Sequence, residues 1–378
     1  MSASPILPPA TIGMLGGGQL GRYALVAARL MGYRTMVLEP DPHAPAGRIA
    51  DVHLVAEYDD PDALRRLGDE CDVVTTEFEN PPAAALEALA KRTLVAPSAR
   101  AVSIAQDRVA EKEFLRDAGL PVGPFAVVAD ADADPAIEYP AILKTARLGY
   151  DGKGQRRVDD ASEMRAAWRL LGGVPCVLEQ ALDLQTEVSA VVARRADGGF
   201  AAYPVAENRH ADGILDVSVV PARVSSRLAD RAVGLAMTIA DALDYVGVLA
   251  VEFFVVDNDL LVNELAPRPH NSGHWTIDAA QTSQFEQQIR AVCGLELGDT
   301  ALTRPAAAMV NLLGDLWEPG DPDWSQAVTS TSALHLYGKT AARPGRKMGH
   351  LTAWGSSTTE AEVRALDARR AAAGVSSA

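Results

Sequence analysis

The sequence predicts an α/β protein of three domains, and three observations carry that reading. Over roughly its first hundred residues, short apolar runs alternate with amphipathic segments, the pattern of βαβ units and a parallel sheet. A smaller α+β segment follows, entered through Gly119-Leu120-Pro121-Val122-Gly123-Pro124, a loop dense in breakers. Beyond about Asp183 the strands lengthen and pair as hairpins, the habit of an antiparallel sheet. A chain of 378 residues is also too long for one ordinary core. The expected domains are 1–106, a Rossmann-like parallel sheet; 107–182, a small α+β lid; and 183–378, a larger α+β domain.

In the first domain, Thr11–Leu15 reads as a strand, Gln19–Met31 as a helix, and Arg34–Leu38 and Asp72–Thr76 as further strands. In the second, Val109–Ala118 is a helix, with strands around Ala141–Lys144 and Val174–Glu179. The third is expected to hold helices at Ser225–Leu243 and Thr276–Cys293. A tail helix starts near Glu360, and Gly374–Ala378 is expected to be disordered.

The most informative stretch is a hairpin in the third domain. Val248–Val256 and Leu260–Arg268 are apolar, β-branched runs flanking Asp257-Asn258-Asp259. If the loop is centred on Asn258, Glu252 and Glu264 stand equally far from it and face each other across the strands. Like charges so placed destabilise a sheet, and burying them unpaired costs more. A divalent cation removes the conflict, and hard oxygen ligands suit Mg²⁺ bound together with nucleotide phosphates. The plain alternative is an edge hairpin whose acids point into water.

Composition excludes some classes. A content of 48% hydrophobic and 22% charged residues is that of a soluble globular protein, and a net charge of −15 argues against nucleic acid or an anionic membrane as partner. Cys71, Cys176 and Cys293 lie far apart, with neither a disulfide framework nor zinc spacing, which fits a reducing cytoplasm. Met1–Ala10 lacks a basic start and a long apolar run, and no stretch approaches a membrane span, so a cytoplasmic protein is expected.

Gly16-Gly17-Gly18-Gln19-Leu20-Gly21 matches the G-x-G-x-x-G pattern at a strand-to-helix junction, and Glu39 closes the next strand. That arrangement suits a phosphate on the orphan amides of a helix start, with Glu39 on a ribose. The turn does not say whether the phosphate belongs to NAD or to a small nucleotide. Lys144 ends a strand ahead of Arg147-Leu148-Gly149-Tyr150-Asp151-Gly152-Lys153-Gly154-Gln155, a cationic, glycine-rich flap able to close amides over phosphates. The P-loop pattern G-x-x-x-x-G-K-[ST] is absent. The strand ending in Glu179-Gln180-Ala181-Leu182 offers backbone groups to an adenine at a hinge, and Glu187 can accept from ribose hydroxyls. His210 reads as a ligand contact or as an ordinary structural histidine.

In this order the pieces resemble the ATP-grasp superfamily, and within it the N5-carboxyaminoimidazole ribonucleotide synthetase family. The likeness runs from about Thr11 to about Ser356. It is carried by Gly16–Arg22, Thr76-Glu77-Phe78-Glu79-Asn80, the flap Gly149–Gln155, Asn263–His274 with its Pro-Arg-Pro-His-Asn-Ser-Gly-His run, and His335-Leu336-Tyr337-Gly338-Lys339.

The resemblance implies an ATP-dependent carbon–nitrogen ligase joining bicarbonate to aminoimidazole ribonucleotide through carboxyphosphate. It implies an ATP site made of Arg108, Lys144, Gly149, Tyr150, Asp151, Gly152, Lys153, Gly154, Gln155, Glu179, Gln180, Ala181, Leu182, Glu187, His210, Asn263 and Glu264. Glu252 and Glu264 hold Mg²⁺ in that picture; Ala266 stands where many superfamily members place an Asn, and Asn263 is not a metal ligand. The glycine turn takes the ribonucleotide, with Gly18, Gln19, Leu20, Glu77 and Asn80 in contact, while Lys339 and Arg346 clamp its phosphate. Tyr150, Asp151, Lys153, Arg268 and Asn271 take part in the chemistry. The partners implied are small molecules and a second copy of the chain as a homodimer.

Overall fold

The structure, a computed structural model, describes residues 4–130, 133, 135–149, 152–318 and 320–374. Its strands fall into three sheets. The first holds β1 (Thr11–Leu15), β2 (Arg34–Leu38), β3 (Val52–Leu54), β4 (Val73–Thr76) and β5 (Leu94–Val95), all parallel in the order β3-β2-β1-β4-β5. The order reverses at β1, and α1 (Gln19–Leu30) springs from the glycine turn at that strand's carboxyl end. Helices α2 (Pro61–Glu70), α3 (Ala83–Ala90) and α4 (Ala99–Ala105) complete this part; the Asp60 and Ser98 side chains cap the first and last of them.

The chain then forms α5 (Arg108–Asp117), started by Asp107 accepting from the Val109 and Ala110 amides. The lid follows. Its strands β6 (Phe125–Val128), β7 (Ala141–Thr145), β8 (Gln155–Val158) and β9 (Cys176–Gln180) run antiparallel in the order β6-β9-β7-β8. Helix α6 (Ala161–Leu170) covers them with a small core of its own, including Leu143, Met164 and Leu178.

The third sheet has nine strands: β10 (Thr186–Arg194), β11 (Phe200–Ala202), β12 (Ala206–Ala211), β13 (Ile214–Val220), β14 (Gly247–Val256), β15 (Asp259–Ala266), β16 (Ala306–Leu313), β17 (Ser332–Leu336) and β18 (Lys347–Gly355). One face packs on α7 (Ser226–Ala242) through Ile239, Phe253, Leu260 and Val262. Farther along the sheet, α10 (Thr358–Ala372) lies close on β16 and β18 because its buried apolar positions are Ala361, Ala365, Ala368 and Ala372. The opposite face carries Trp275, Met309 and the polar residues of the site.

Two expectations are corrected. The helix expected over Thr276–Cys293 is two helices, α8 (Thr276–Ala279) and α9 (Gln284–Val292). Ala280 leaves helical geometry and bridges to Leu302, and Ser283 caps a fresh start by accepting from the Glu286 amide. The hairpin loop is centred between Asp257 and Asn258, both at positive φ of 50° and 59°, a two-residue primed turn. That register alone sets Glu252 against Asn263. A bulge at Asn263 adds one residue to β15, and Glu252 then pairs with Glu264 as expected. The bulge also explains how Val262 and Leu265, three apart, reach the same core, which strict alternation forbids. Val375–Ala378 of the expected disordered tail lie outside the described residues.

Helices α1 and α9 bind the first and third parts together. Leu20, Leu25 and Ala28 share one core with Phe285, Ile289 and Val292.

Candidate active site

The site lies where the three sheets meet, and its centre is the Glu252–Glu264 pair. Arg108, in the first turn of α5, puts Nη1 3.0 Å from Glu264 Oε2 and donates Nη2 to the carbonyl of Gly149 at 3.2 Å. One guanidinium thus ties the carboxylate pair to the flap. Burial pushes Glu252 up to about 8, and the facing Glu264 adds to the shift. Burial acts on Glu264 in the same direction, but Arg108 together with Lys144 and Arg268 outweighs it and holds that carboxyl below its ordinary value. Two carboxylates crowded together at low exposure to water favour a cation between them, and the all-oxygen donor set fits a hard divalent ion. Glu187 and His210 stand beside the pair, Nδ1 to Oε2 3.1 Å, and ligand atoms of Glu187, His210 and Glu252 all lie within 4.8 Å of one another. Burial disfavours the His210 cation, yet Glu187 wins and raises its pKa.

A second charged knot sits under the lid. Lys144 Nζ lies 3.0 Å from Glu179 Oε2, and Lys112 Nζ lies 3.5 Å from the same atom while donating to the Asn263 carbonyl at 2.9 Å. Glu179 Oε2 is therefore the counter-ion of two buried lysines, while its Oε1 is buried without a hydrogen-bond partner. The bulge carbonyl of Asn263 has its partner in Lys112. Gln180 and Ala181 already spend their amides on Pro124 and Pro140. Behind the pair, the Leu265 amide donates to Glu111 Oε1 at 2.6 Å, and burial together with Glu264 lifts Glu111 to about 8.

The flap joins β7 to β8, with Lys144 paired to Gln155. Gly152 and Gly154 both have φ of +74°, and a Cβ on Gly152 would come 3.1 Å from the carbonyl of Asp212 in the β12–β13 turn. Lys153 lies between them; Tyr150 and Asp151 lie outside the described residues.

The glycine turn departs from expectation. The amides of Gly18 and Gly21 donate to Glu77 Oε1 at 2.5 Å and Oε2 at 2.7 Å, and Gly17 donates to Glu39 Oε2 at 2.7 Å. Glu39 also accepts from the Tyr58 hydroxyl at 2.6 Å. The start of α1 is filled by protein carboxylates, so a phosphate there would have to displace two like charges. Glycine is required for this fit: a Cβ on Gly18 would stand 2.5 Å from Glu77 Oε1. Leu20 points into the core shared with α9, leaving only its backbone to a ligand. Gln19 does reach the site, with Nε2 3.4 Å from Asn271 Oδ1. Arg268 pairs with Glu79 and donates to the Pro269 carbonyl at 3.0 Å. Asn80 is exposed at the rim. Lys339 donates to the Lys347 carbonyl at 2.7 Å and Arg346 to that of Ala341 at 2.9 Å, which brings both into one loop. Arg22 and Arg48 grip that loop from the first domain, at the Tyr337 and Gly338 carbonyls.

Comparison with known proteins finds three family models along the chain: a ribonucleotide synthetase preATP-grasp domain over residues 9–106, an ATP-grasp domain over 113–285, and a phosphoribosylaminoimidazole carboxylase C-terminal domain over 307–364. The N5-carboxyaminoimidazole ribonucleotide synthase of Bacillus subtilis is 44% identical over 357 residues, covering 93% of this chain and 93% of that one. The chain belongs to the N5-carboxyaminoimidazole ribonucleotide synthase family. The Staphylococcus aureus N5-carboxyaminoimidazole synthetase complexed with ADP superposes with a TM-score of 0.91 at 37% identity, over 97% of this chain and 99% of that one. The Aspergillus clavatus enzyme in complex with ADP and 5-aminoimidazole ribonucleotide gives 0.85 at 31% identity, over 95% and 98%. The fold is ATP-grasp, and the family's enzymes are ligases.

Lys112, Glu111, Ser189 and Asn208 escaped the sequence reading, and Glu79, His270 and Ser272 stood there inside the quoted motifs without a role. Ser189 and Asn208 had a signal, since they continue at alternate positions the polar face begun by Glu187 and His210. Lys112 and Glu111 had none, because a charged pair on an amphipathic helix reads as its solvated face. Among the described residues, no helix is long and apolar enough to cross a membrane.

Proposed function

We propose that the protein is a 5-(carboxyamino)imidazole ribonucleotide synthase. It carboxylates the exocyclic amine of 5-aminoimidazole ribonucleotide with bicarbonate, converts ATP to ADP and phosphate, and so serves purine biosynthesis. The observation that carries the reading is the Glu252–Glu264 pair, facing across the hairpin and linked through Arg108 to the flap. Bicarbonate is a poor electrophile, so ATP first activates it as carboxyphosphate, a phosphoryl transfer governed by positioning and charge neutralisation. A divalent cation on Glu252 and Glu264, magnesium in this proposal, neutralises phosphate charge when bound.

The chain's own residues do the rest. Lys144, Lys153 and Arg268 supply positive charge at the transferring group. Burial depresses the Lys144 ammonium, and Glu179 beside it favours the charged form. Asn271, oriented by Gln19, holds bicarbonate next to the ribonucleotide's amine. The filled glycine turn moves the ribonucleotide's phosphate off α1 and toward Lys339 and Arg346. Carboxyphosphate hydrolyses readily, so the flap closes to exclude water, and Tyr150 and Asp151 take the role of orienting or deprotonating the amine in this proposal. We further infer a homodimer in the cytoplasm, which light scattering on purified protein and cell fractionation test.

The deciding experiment measures ADP release with Mg·ATP and bicarbonate, with and without 5-aminoimidazole ribonucleotide. Strong stimulation with one bicarbonate carbon fixed per ADP is expected. Turnover without stimulation would point to a sister ligase with another amine, and no turnover to a nucleotide sensor.

A further inference from the structure

The side chains around His270 form one continuous hydrogen-bonded row. Ser218 Oγ donates to Asn208 Oδ1 at 2.8 Å, and Asn208 Nδ2 donates to Ser189 Oγ at 2.9 Å. Ser189 Oγ lies 2.8 Å from Ser272 Oγ, which lies 2.9 Å from His270 Nδ1. His270 Nε2 stands 3.2 Å from Glu252 Oε1. Every member of this seam short of Glu252 is at least nine-tenths buried, while Val191, Ala206 and Val220 on the same sheet face are apolar. Burying five polar side chains in a row is costly unless each is satisfied, and this row satisfies them only in one sense.

The sense follows from His270. Its Nδ1 caps the turn Asn271–Gly273 by accepting the Ser272 amide at 3.4 Å, so that nitrogen carries no hydrogen. The Ser272 hydroxyl then donates to Nδ1 and accepts from Ser189, whose own oxygen accepts from Asn208. The reversed chain would put an N–H against the Ser272 amide and leave the Ser218 hydroxyl hydrogen without its acceptor. The backbone is fixed as well: Gln284 accepts from the His270 amide at 2.9 Å and donates to its carbonyl at 2.7 Å. The imidazole is left with its Nε2–H aimed at Glu252 Oε1.

We propose that Asn208, Ser189 and Ser272 are positioning residues that hold His270 as the Nε2–H tautomer. Its hydrogen bond then commits one oxygen of Glu252 and leaves the other to the cation. Outer partners of this kind orient a ligating carboxylate, and their loss typically costs about 10–100-fold in metal affinity or activity. The inference rests on the proposed metal role of Glu252, and the test separates the two.

The tautomer is read from ¹⁵N-histidine NMR spectra of the metal-free protein. Wild type is expected to show His270 with hydrogen on Nε2 alone. Asn208→Leu, which keeps the volume and removes both bonds, should give mixed tautomers, raise the magnesium concentration for half-maximal activity about tenfold, and leave the KM for the ribonucleotide unchanged. Ser189→Ala breaks the same chain with less risk to folding and should act alike. Hydrogen on Nδ1 in wild type would overturn the relay. So would variants that only melt earlier, with tautomer and magnesium dependence unmoved. An unchanged magnesium requirement in Glu252→Gln would instead remove the metal reading on which the inference stands, whatever the tautomer.

Discussion

At the scale of single residues the site is a set of crowded carboxylates, from buried Glu111 to the part-exposed Glu264, and their competition sets what substitution does. Glu111 is pushed up to about 8 by burial and by Glu264. A folded-state value above the unfolded one means that stability is full at low pH and lost as pH rises toward about 8. Glu111→Gln imitates the protonated form and can still accept from the Leu265 amide. Its stability advantage over wild type is expected to grow by up to ~1.4 kcal/mol per pH unit from pH ~5.5 to ~7.5 and to level off above 8. Urea unfolding at several pH values measures it, and a flat difference would mean that Lys112 and Arg108 keep Glu111 ionised throughout. Glu264→Gln separates folding from chemistry. It removes a charge without opening a cavity, so the melting temperature should barely move while turnover falls by about 10² or more. Near-normal turnover would remove Glu264 from the metal site.

At the scale of elements, the flap depends on backbone that only glycine adopts easily. Gly154 has φ of +74°, and a Cβ there would stand 2.6 Å from Thr145 Oγ1 at the base of the same hairpin. Gly154→Ala costs about 1 kcal/mol from the dihedral alone, and the contact with Thr145 adds to it. Because the strain falls on the lid and spares the shared core, the KM for ATP should rise several-fold with little change in melting temperature. A lowered melting temperature with an unchanged KM would make the flap a structural hairpin. Elements of this sort were legible from the sequence: the first strands, α1, α7 and the Glu252–Glu264 facing all follow from period and composition. The Asn263 bulge was not, since no local signal distinguishes an inserted residue from a longer loop, and the right pairing was reached through the wrong loop centre. The break at Ala280 was hidden because the apolar period runs on across it. The glycine turn misled for a physical reason. Its amides want an anion, and the sequence does not show that the anion is Glu77, some 56 residues beyond Gly21.

At the scale of the whole molecule, the first and third parts are joined by an aromatic stack as well as by α1 and α9. Tyr23 of α1 lies against His274, His335 and His350, at centroid distances of 6.0, 5.9 and 6.2 Å. His350 stacks on His335 and on His274 at 4.6 Å each, with interplanar angles of 18° and 24°. Asp278, His335 and His350 bring ligand atoms within 4.8 Å of one another, but nearly parallel rings send their lone pairs side by side and do not converge on one ion. The stack therefore serves as packing, and burial holds His274 and His350 within it well below the ordinary histidine value. The unfolded chain takes up protons at these positions below pH ~6.5 while the folded chain does not, so stability drains as pH falls from there, by up to ~1.4 kcal/mol per pH unit for each ring. His350→Gln keeps an acceptor for the Tyr337 hydroxyl, now 3.0 Å from His350 Nδ1. It should be less stable than wild type near neutrality, through lost stacking, yet lose stability less steeply between pH ~6.5 and ~5.5. Glu111 and Glu252, which titrate in the opposite sense, are common to both proteins and cancel in the comparison. Parallel slopes would show that His350 already takes its proton in the folded state, and the joint between first and third parts would then be insensitive to acid at this point.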